Sequence, residues 1–524
     1  MPERNTMKKI QELQQVKGDA YDYYIAGNED TDLFEKIFLV DDIVEEICKP
    51  DKYFLIGEKG SGKTAYSVYM SKSDKINSFC SISLVENTLY QRFLNMKRQK
   101  ALELSSFKDV WINLIYLILA EKIRKEYGET FFSSIKYKQL SKAIDVFYSD
   151  AFKPEFVNAF EFVDNASASI NSMMKQGLFS TGTKASAETS QKYVGQSFQI
   201  SLLKIRDGFE KAFMSVNLKK PTILFVDGID ARPRDIDNEQ YFECLVGLVN
   251  AVLEMNQSFL KEKQIKIMLL IRPDIMYKMP VHNMNQKLRN NSVLLNWVTS
   301  YRKYIDSKLF KIADDYFMKQ QDYSYELGEC WNYYFPYKVE YQEKWKAPDN
   351  PFVEFLRYSL YKPRDILTML NEMVDATSGT QFKHSDFEGI LSNYSTYLKG
   401  ELKDYMLIYM DDSDYNNFSI FFDYFQGHRN FNYKFFEEKH LEYIKYLREL
   451  GRKIPPETAS EALQLLYDTN IICYKIYETL PNGKRKNKMF WSYKERNYAN
   501  MQPEVKKGGE YSFHMAYARA FRLF

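Results

Sequence analysis

The chain has 524 residues, which is too long for one hydrophobic core, so several compact units are expected. Its 72 basic and 70 acidic side chains nearly cancel, which excludes a global field that would draw the protein to nucleic acid or a membrane. Five widely spaced cysteines without metal-type spacing, and an N-terminus without an apolar signal segment, predict a reducing, cytoplasmic environment.

The segment FLIGEKGSGKTAYSVY, residues 54–69, predicts a short strand, a glycine-rich loop and the start of a helix. The loop fits the pattern G-x-x-x-x-G-K-[ST], and Gly60 adds a position where positive φ is accessible. Amides of such a loop and the positive end of the helix can bind the α- and β-phosphates of a nucleotide. Lys63 would reach the β- and γ-phosphates, and the Thr64 hydroxyl would ligate Mg²⁺. The predicted nucleotide-binding residues are Gly57, Glu58, Lys59, Gly60, Ser61, Gly62, Lys63, Thr64 and Ala65.

A second strand is predicted at Ser78–Leu84, after the loop and its helix. About 140 residues then separate it from the next strand with a functional motif, far more than one crossover helix requires. An inserted helical subdomain with a connecting loop is therefore predicted at 85–200. The stretch Asn165–Ser197, rich in Ser, Ala, Gly and Thr, predicts a mobile loop or a weak hairpin within it.

Two features of the insert bear on partners. The apolar run Val110–Ala120 is about half the length of a membrane span, so it predicts a buried helix and no membrane contact. The segment 91–142 carries eleven basic and five acidic residues. That excess fits either a nucleic-acid or partner surface or the solvated faces of amphipathic helices.

The segment PTILFVDGIDARPRD predicts the second half of a nucleotide site. Residues Thr222–Val226 form a continuous apolar run, typical of a buried parallel strand, and Asp227 stands at its C-terminal end. Asp227 is therefore predicted to be the Walker B carboxylate that holds Mg²⁺. Asp230 is placed to orient or deprotonate the attacking water, or alternatively to cap the next helix. In many hydrolysing relatives the base is adjacent to the first acid, a position that Gly228 takes here.

Two further strands are predicted, Ile265–Ile271 and Ser292–Trp297, which brings the total to five. An amphipathic helix precedes the first of them. Its apolar residues are Tyr241, Leu245, Leu248, Val252 and Met255. The extra strand between the two motifs favours the ATPase branch in which the Walker strands are not neighbours. An Asn-Lys-x-Asp guanine signature is absent from the sequence, so ATP is favoured over GTP.

The remaining chain is predicted to be mostly helical until residue 470. The aromatic stretch Gln320–Asn350 is predicted to pack a helical region against its neighbours. The last 120 or so residues resemble a winged helix in their pattern of three helical segments and a hairpin. The predicted segments are Phe418–Phe425, Phe431–Leu450, Pro456–Tyr467 and the paired strands Ile471–Glu478 and Lys488–Glu495.

The hairpin tip carries Lys484, Arg485, Lys486 and Lys488, which could contact nucleic-acid phosphates without sequence preference, dock a protein or simply be solvated. The sequence PETASEALQLLYD, which spans the third helical segment and Asp468, contains Glu457, Glu461 and Asp468 and neither lysine nor arginine. Base readout in a major groove is therefore not expected.

The set GEKGSGKT, ILFVDGID, LLIRPDI, KLRNNSVLLNW and YKPRDIL resembles bacterial P-loop ATPases related to the STAND and KAP groups, and more distantly AAA+ proteins of the origin-recognition type. The resemblance covers roughly residues 30 to 375. It implies that Arg272 lies near the γ-phosphate sensing position and that Arg364 reaches the nucleotide from a helical lid. For both arginines the alternative is a solvated or salt-bridged side chain. The resemblance also implies a role as a switch or machine in bacterial signalling or antiviral defence.

Together these patterns predict an α/β fold: a parallel five-stranded P-loop ATPase core with an inserted helical subdomain, a helical lid and a C-terminal winged-helix domain. The predicted bounds are 1–84 and 201–300 for the core, 85–200 for the insert, 301–400 for the lid and 401–524 for the winged-helix domain.

The predicted function is a Mg-ATP-binding and hydrolysing switch or machine that acts through partner proteins carrying effector activity. The alternatives are a nucleic-acid-binding ATPase whose loading is regulated by ATP, and a nucleotide-binding scaffold without turnover. An ATPase of this kind needs a cation that neutralises charge on the γ-phosphate, and such an arginine often comes from a neighbouring subunit. Arg232, Arg234 and Arg289 are the candidates, which makes a homo-oligomer a hypothesis.

Overall fold

The structure is a computed structural model. It describes residues 7–25, 28–85, 107–132, 137–150, 202–230, 232, 238–280, 283–340, 349–479 and 485–524. The predicted loop at 165–197 and much of the predicted insert lie outside the described residues.

The centre of the molecule is a five-stranded sheet in which every pair of neighbouring strands is parallel. Its order is β2-β3-β4-β1-β5. The strands are β1 Phe54–Ile56, β2 Phe79–Leu84, β3 Thr222–Asp227, β4 Ile265–Ile271 and β5 Ser292–Leu294. The predicted α/β class with five parallel strands is therefore confirmed. Because β4 lies between β1 and β3, the two strands that carry the sequence motifs are not neighbours, as predicted.

The fifth strand is shorter than predicted. It ends at Leu294, whereas the sequence pattern extended it to Trp297. The chain leaves the sheet because Trp297 turns toward the glycine-rich loop, where its Nε1 donates a hydrogen bond of 2.9 Å to the Ser61 carbonyl. An apolar run alone does not reveal this turn, since tryptophan also suits a strand.

Alternate residues of the strands enter two separate cores, one on each face of the sheet. In β3, Ile223 and Phe225 join the larger core, which continues through the helices after residue 300 into the C-terminal part of the chain. Leu224 and Val226 join the second core with the long helices Phe107–Phe132 and Asn238–Asn256. Burial on both faces explains the continuous apolar sequence of this strand.

The predicted buried helix is present at Phe107–Phe132. Its residue Trp111 donates a hydrogen bond of 3.1 Å to the Cys244 carbonyl of the helix Asn238–Asn256. The two helices pack closely because Gly247 has no side chain, and a Cβ there would lie 2.6 Å from the Phe107 Cβ. Among the residues that the structure describes, none of the helices combines the length and apolar character that a membrane crossing requires.

The described helices have the following bounds. The α-helices are Tyr21–Ile25, Asn28–Ile37, Asp42–Cys48, Lys63–Lys72, Phe107–Phe132, Lys138–Asp150, 202–215, Asn238–Asn256, Pro273–Lys278, Met284–Asn291, Lys308–Met318, Glu329–Tyr334, Pro351–Tyr358, Pro363–Ala376, His384–Met406, Asp412–Ser419, Tyr433–Glu449, Ala459–Asp468 and Ser492–Glu495. The 3₁₀ helices are Ile10–Glu12, Phe259–Lys261, Tyr301–Asp306, Ile420–Phe425 and Met515–Tyr517.

The aromatic stretch after residue 320 packs the helices that follow the parallel sheet, as predicted. Trp331 and Phe335 are buried and stack with ring centroids 4.1 Å apart. Trp331 also meets Phe352 edge to face at 5.3 Å, and Phe335 stacks on Phe382 at 4.9 Å. These rings join the helix Pro351–Tyr358 to its neighbours without a metal or disulfide.

Residues 412–524 are here called the C-terminal unit. Their described part contains four α-helices, two 3₁₀ helices and a four-stranded antiparallel sheet. Its strands are β6 Asn430–Asn432, β7 Ile472–Thr479, β8 Arg485–Phe490 and β9 Glu510–Phe513, in the order β6-β9-β7-β8. Strands β6 and β9 are too short to give an alternating pattern, so the sequence did not predict them.

The predicted pairing of the hairpin needs a correction. The second strand was predicted at Lys488–Glu495, but β8 ends at Phe490, whose ring stacks on Tyr474 at 4.9 Å. The next residues form the short helix Ser492–Glu495, because the Tyr493 amide donates to the Asn470 Oδ1 at 2.9 Å and so leaves the sheet.

Candidate functional site

The glycine-rich loop lies between β1 and the helix Lys63–Lys72, and its backbone conformation requires glycine at several positions. Gly60 and Gly62 have φ values of 82° and 95°, which are accessible to glycine at little cost. At Gly57 a Cβ would lie 2.2 Å from the Ser61 Oγ, so no larger residue fits without moving the Ser61 side chain. The Ser61 Oγ is itself buried and makes no hydrogen bond within the described structure. The loop is therefore a tight backbone cradle at a helix N-terminus.

Lys63 is buried in this cradle and points back along the loop. Its Nζ donates hydrogen bonds to the carbonyls of Gly57 at 2.9 Å and Glu58 at 3.2 Å. Burial lowers the pKa of Lys63, and the nearby carboxylates of Asp230 and Asp227 oppose this shift. The lysine thus stands between the loop carbonyls and two acidic residues.

Strand β3 brings its terminal carboxylate to the first turn of the loop helix, as its position in the sequence predicted. The Thr64 hydroxyl donates a hydrogen bond of 2.6 Å to Asp227 Oδ2, and the Gly228 amide donates one of 2.8 Å to Asp227 Oδ1. Burial raises the pKa of Asp227, although the Thr64 hydrogen bond acts in the opposite direction. Gly228 has a φ of 80°, and a Cβ there would lie 3.1 Å from the Val85 carbonyl oxygen. A glycine after Asp227 therefore lets the neighbouring loop approach closely.

Asp230 and Arg364 line one cleft together with Lys63, Thr64 and Asp227. The volume of this cleft is about 660 Å³, within the range of small-molecule sites in proteins. The cleft opens at the C-terminal ends of the parallel strands, where ligands of α/β sheets commonly bind.

Arg364 reaches the loop from the start of the helix Pro363–Ala376, where Pro363 occupies the first turn. Its amide lies 3.4 Å from the Gly60 carbonyl oxygen, and its side chain covers Gly60, at which a Cβ would lie 3.2 Å from the Arg364 Cβ. The guanidinium pairs with Glu401 of the helix His384–Met406 at 3.4 Å, and Lys59 pairs with the same carboxylate at 3.3 Å. Glu401 thus joins two cations at the edge of the cleft.

The N-terminal part of the chain forms a wall of the cleft that sequence reasoning missed. Tyr21, Tyr23, Phe34 and Phe38 line it, and the rings of Tyr23 and Phe34 stack at 4.7 Å. The Lys17 amide donates to the Tyr23 hydroxyl oxygen at 2.6 Å, which holds this segment against the pocket. The i, i+4 spacing of Phe34 and Phe38 indicates an apolar helix face, but it does not indicate which surface that face covers.

Arg272 does not line the cleft. It is 1% exposed, and its guanidinium pairs in two-pronged fashion with Asp274 at 3.1 and 2.6 Å. The guanidinium also stacks over the Tyr405 ring at 3.6 Å. Burial opposes ionisation of Asp274, but Arg272 outweighs it and holds the pKa of Asp274 below its ordinary value. The predicted sensing role of Arg272 stays a prediction, and the contacts present are those of a buried ion pair.

The three candidate arginine fingers have different positions. Arg232 donates hydrogen bonds to the carbonyls of Leu407 at 3.1 Å and Met410 at 2.9 Å within its own chain. Arg289 is exposed on the helix Met284–Asn291. Arg234 lies outside the described residues. The predicted basic hairpin tip needs a correction, because Arg485, Lys486 and Lys488 lie within β8, where Lys488 is opposite Ile476 of β7. Lys488 is 57% exposed and pairs with Glu478 at 3.6 Å, whereas Lys484 and the side chains of Arg485 and Lys486 lie outside the described part.

No protein-family model matches the chain, and a search of curated proteins finds no relative. The function is therefore argued from the geometry and chemistry of the cleft.

Proposed function

We propose that this protein binds Mg-ATP in the cleft, hydrolyses it and acts as a switch through partner proteins. In this proposal the parallel sheet is a P-loop ATPase core, residues 301–400 are a helical lid and the C-terminal unit belongs to a winged-helix domain. The observation that carries the proposal is the meeting of Lys63, Thr64, Asp227, Asp230 and Arg364 in one cleft beneath a helix N-terminus.

The phosphate end of the ligand fits the glycine-rich loop. The backbone cradle and the helix N-terminus favour anions, and the buried Ser61 hydroxyl adds a polar group without a partner in the described structure. Lys63 would exchange the carbonyls of Gly57 and Glu58 for phosphate oxygens, which offer a charged partner for a buried ammonium.

Thr64 and Asp227 fit a magnesium ion, because a hydroxyl and a carboxylate are hard oxygen ligands and lie within hydrogen-bond distance of each other. When bound, Mg²⁺ would neutralise charge on the phosphates. Asp227 would hold the ion and Thr64 would direct its oxygen toward it. Asp230, which faces the same cleft, would orient or deprotonate the attacking water.

The aromatic wall supports an organic nucleotide in preference to inorganic phosphate alone. Tyr21, Tyr23, Phe34 and Phe38 offer apolar surface and ring faces in the same cleft as the glycine-rich loop. A nucleobase is a flat aromatic group that gains from such contacts. The sequence lacks the usual guanine signature, which favours adenine.

Two parts of the proposal, action through partner proteins and a role in bacterial antiviral defence, rest on the resemblance of the motifs and not on the geometry of the cleft. A homo-oligomer belongs to it as well, because Arg289 is exposed and could reach a neighbouring subunit. Contact of the basic hairpin residues with nucleic acid belongs to the alternative function, which is a nucleic-acid-binding ATPase. In that alternative, ATP regulates the loading of the protein onto nucleic acid.

The binding step is tested by calorimetry with Mg-ATP. We expect Lys63→Ala and Thr64→Ala each to abolish measurable binding, since one removes the phosphate cation and the other a metal ligand. Lys75→Ala, which changes an exposed lysine after the same helix, should bind as the wild type does. Unchanged affinity in the first two variants would refute the site.

A further inference from the structure

Arg496 of the C-terminal unit reaches into the glycine-rich loop. Its guanidinium Nη1 pairs with the Glu58 Oε1, and the side chains of Arg496 and Glu58 are 4% and 13% exposed. The other terminal nitrogen donates a hydrogen bond of 2.9 Å to the carbonyl of Asp468, at the end of the helix Ala459–Asp468. One arginine therefore joins the phosphate loop to a helix of the C-terminal unit.

The contact involves the loop residue whose carbonyl positions Lys63 and the backbone turn. The side chain of Glu58 is held by Arg496, while its carbonyl accepts hydrogen bonds from the Lys63 Nζ at 3.2 Å and the Ser61 amide at 3.1 Å. Movement of Glu58 would thus disturb both the phosphate lysine and the backbone turn that forms the cradle. The position of Glu58 depends on a residue 438 positions away in the chain.

The charges around Arg496 hold it in place. Asp274 and Asp468 are close enough to act on it electrostatically, in addition to Glu58. Burial lowers the pKa of Arg496, but Glu58 and these neighbours outweigh burial and raise it above its ordinary value. Removal of one partner of a buried pair leaves an uncompensated charge, so the pair resists separation of the loop from the C-terminal unit.

We propose that Arg496 is a positioning residue that fixes the phosphate loop, and that phosphate binding in the loop and docking of the C-terminal unit stabilise each other. The ligand-dependent half of this inference rests on the proposed function. Coupling between two sites is reciprocal. Loss of the Arg496–Glu58 pair, which carries the coupling, must therefore weaken both phosphate binding in the loop and docking of the C-terminal unit. The C-terminal unit would then report the state of the nucleotide site to whatever it contacts.

The first test is a double-mutant cycle on Mg-ADP affinity in the full chain. Arg496→Gln and Glu58→Gln should each lower affinity by about tenfold or more, and the double variant should be no more than a few-fold weaker than the weaker single variant. Arg448→Gln is the matched control, because Arg448 is an exposed arginine of the same unit. Wild-type affinity in Arg496→Gln, or effects that multiply in the double variant, would overturn the inference.

Amide hydrogen exchange separates positioning from general stability. In the wild type, Mg-ADP should slow exchange both in residues 57–63 and in the segment 485–496. In the Glu58→Gln/Arg496→Gln variant, Mg-ADP at saturating concentration should protect residues 57–63 only. Equal protection of the C-terminal segment in both proteins would contradict the coupling.

Failure of the proposed function has a different signature. If the wild type binds neither Mg-ADP, Mg-ATP nor inorganic pyrophosphate, the proposed function is wrong. The positioning role is then decided without ligand: Arg496→Gln must speed amide exchange of residues 57–63 about tenfold or more, whereas Arg448→Gln must not. Unchanged exchange of the loop in Arg496→Gln would overturn the role of Arg496.

Discussion

The glycine-rich loop depends on the absence of a side chain at Gly57. A Cβ there would lie 2.2 Å from the Ser61 Oγ and 3.3 Å from the Ser61 Cβ, so Gly57→Ala must displace the Ser61 side chain and strain the loop that carries it. We expect this variant to lower Mg-ADP affinity about tenfold or more, because small displacements of a phosphate cradle cost most of its hydrogen bonds. Calorimetry provides the measurement.

Gly389 supplies a matched control for this substitution. It lies within the helix His384–Met406, and a Cβ there meets no atom within 4 Å. Gly389→Ala should leave nucleotide affinity unchanged and raise the free energy of unfolding by roughly 0.5–1 kcal/mol, since alanine is the better helix former. Equal affinity of the two alanine variants would show that the loop tolerates the added methyl group.

A substitution of Asp230 distinguishes ATP hydrolysis from ATP binding. Asp230 faces the cleft, whereas Asp227 is engaged by Thr64, so the two carboxylates should have different roles. Asp230→Asn should retain Mg-ATP affinity within a few-fold and lower the hydrolysis rate about 100-fold, the typical contribution of a general base. The exposed residue Asp74 provides the control as Asp74→Asn. Hydrolysis by Asp230→Asn at the wild-type rate would assign the base elsewhere.

The helices Pro363–Ala376 and His384–Met406 act as a pair at the edge of the cleft. The first presents Arg364 at its N-terminus, and the second presents Glu401, which binds both Arg364 and Lys59. A γ-phosphate in this region would compete with Glu401 for the two cations. Since only a triphosphate carries that group, these helices can respond differently to ATP and ADP.

Arg364→Ala tests this response. We expect ADP affinity to stay within a few-fold and ATP binding to weaken by roughly 1 to 3 kcal/mol, as for a lost charge-assisted contact. ATP-dependent protection of residues 363–406 from proteolysis should disappear. Arg302→Ala, which changes an exposed arginine, is the control. Equal losses for ATP and ADP would show that Arg364 has a structural role only.

At the scale of the whole molecule, buried charges lie where the C-terminal unit meets the parallel-sheet region. Asp468 is one of them: burial raises its pKa to about 6, against the opposing effect of Arg496, of a hydrogen bond from Gln464 and of Lys278. The ordinary pKa of an aspartate side chain is 3.8. Between pH 3.8 and about pH 6, Asp468 is therefore protonated more often in the native protein than in the unfolded chain. Stability contributed by Asp468 is therefore present at low pH and lost as the pH rises through about 6.

Asp468→Asn should remove the loss of folding stability that Asp468 causes as the pH rises through about 6. The variant should be more stable than the wild type at pH 7, by roughly 1–3 kcal/mol for a half-buried group, and the difference should shrink as the pH falls to about 4.5. Thermal unfolding at the two pH values provides the measurement, with the exposed Asp423 changed to Asn as the control. A difference that grows as the pH is lowered would contradict the assignment.

The amino-acid sequence by itself determined the elements whose signal lies in consecutive residues. The turn at residues 57–64 needs glycines and a lysine at fixed spacing, and β3 needs an apolar run that ends in Asp227. Burial on both faces gives β3 its continuous apolar run, and short apolar segments at the other four strands allowed the number and class of the strands to be predicted. The end of β8 could not, because the inward turn of Tyr493 depends on Asn470 in another segment.

Only the tertiary structure decided which distant residues complete the cleft and hold its glycine-rich loop. The aromatic wall near Tyr23, the Glu401 carboxylate and the Arg496 guanidinium have ordinary local sequences, and they reach the loop through the path of the whole chain. On local grounds Arg272 could serve as a sensing arginine and Arg232 as an arginine finger. Their partners, Asp274 in one case and the carbonyls of Leu407 and Met410 in the other, are set by packing, since a guanidinium removed from water takes the acceptors that the fold places beside it.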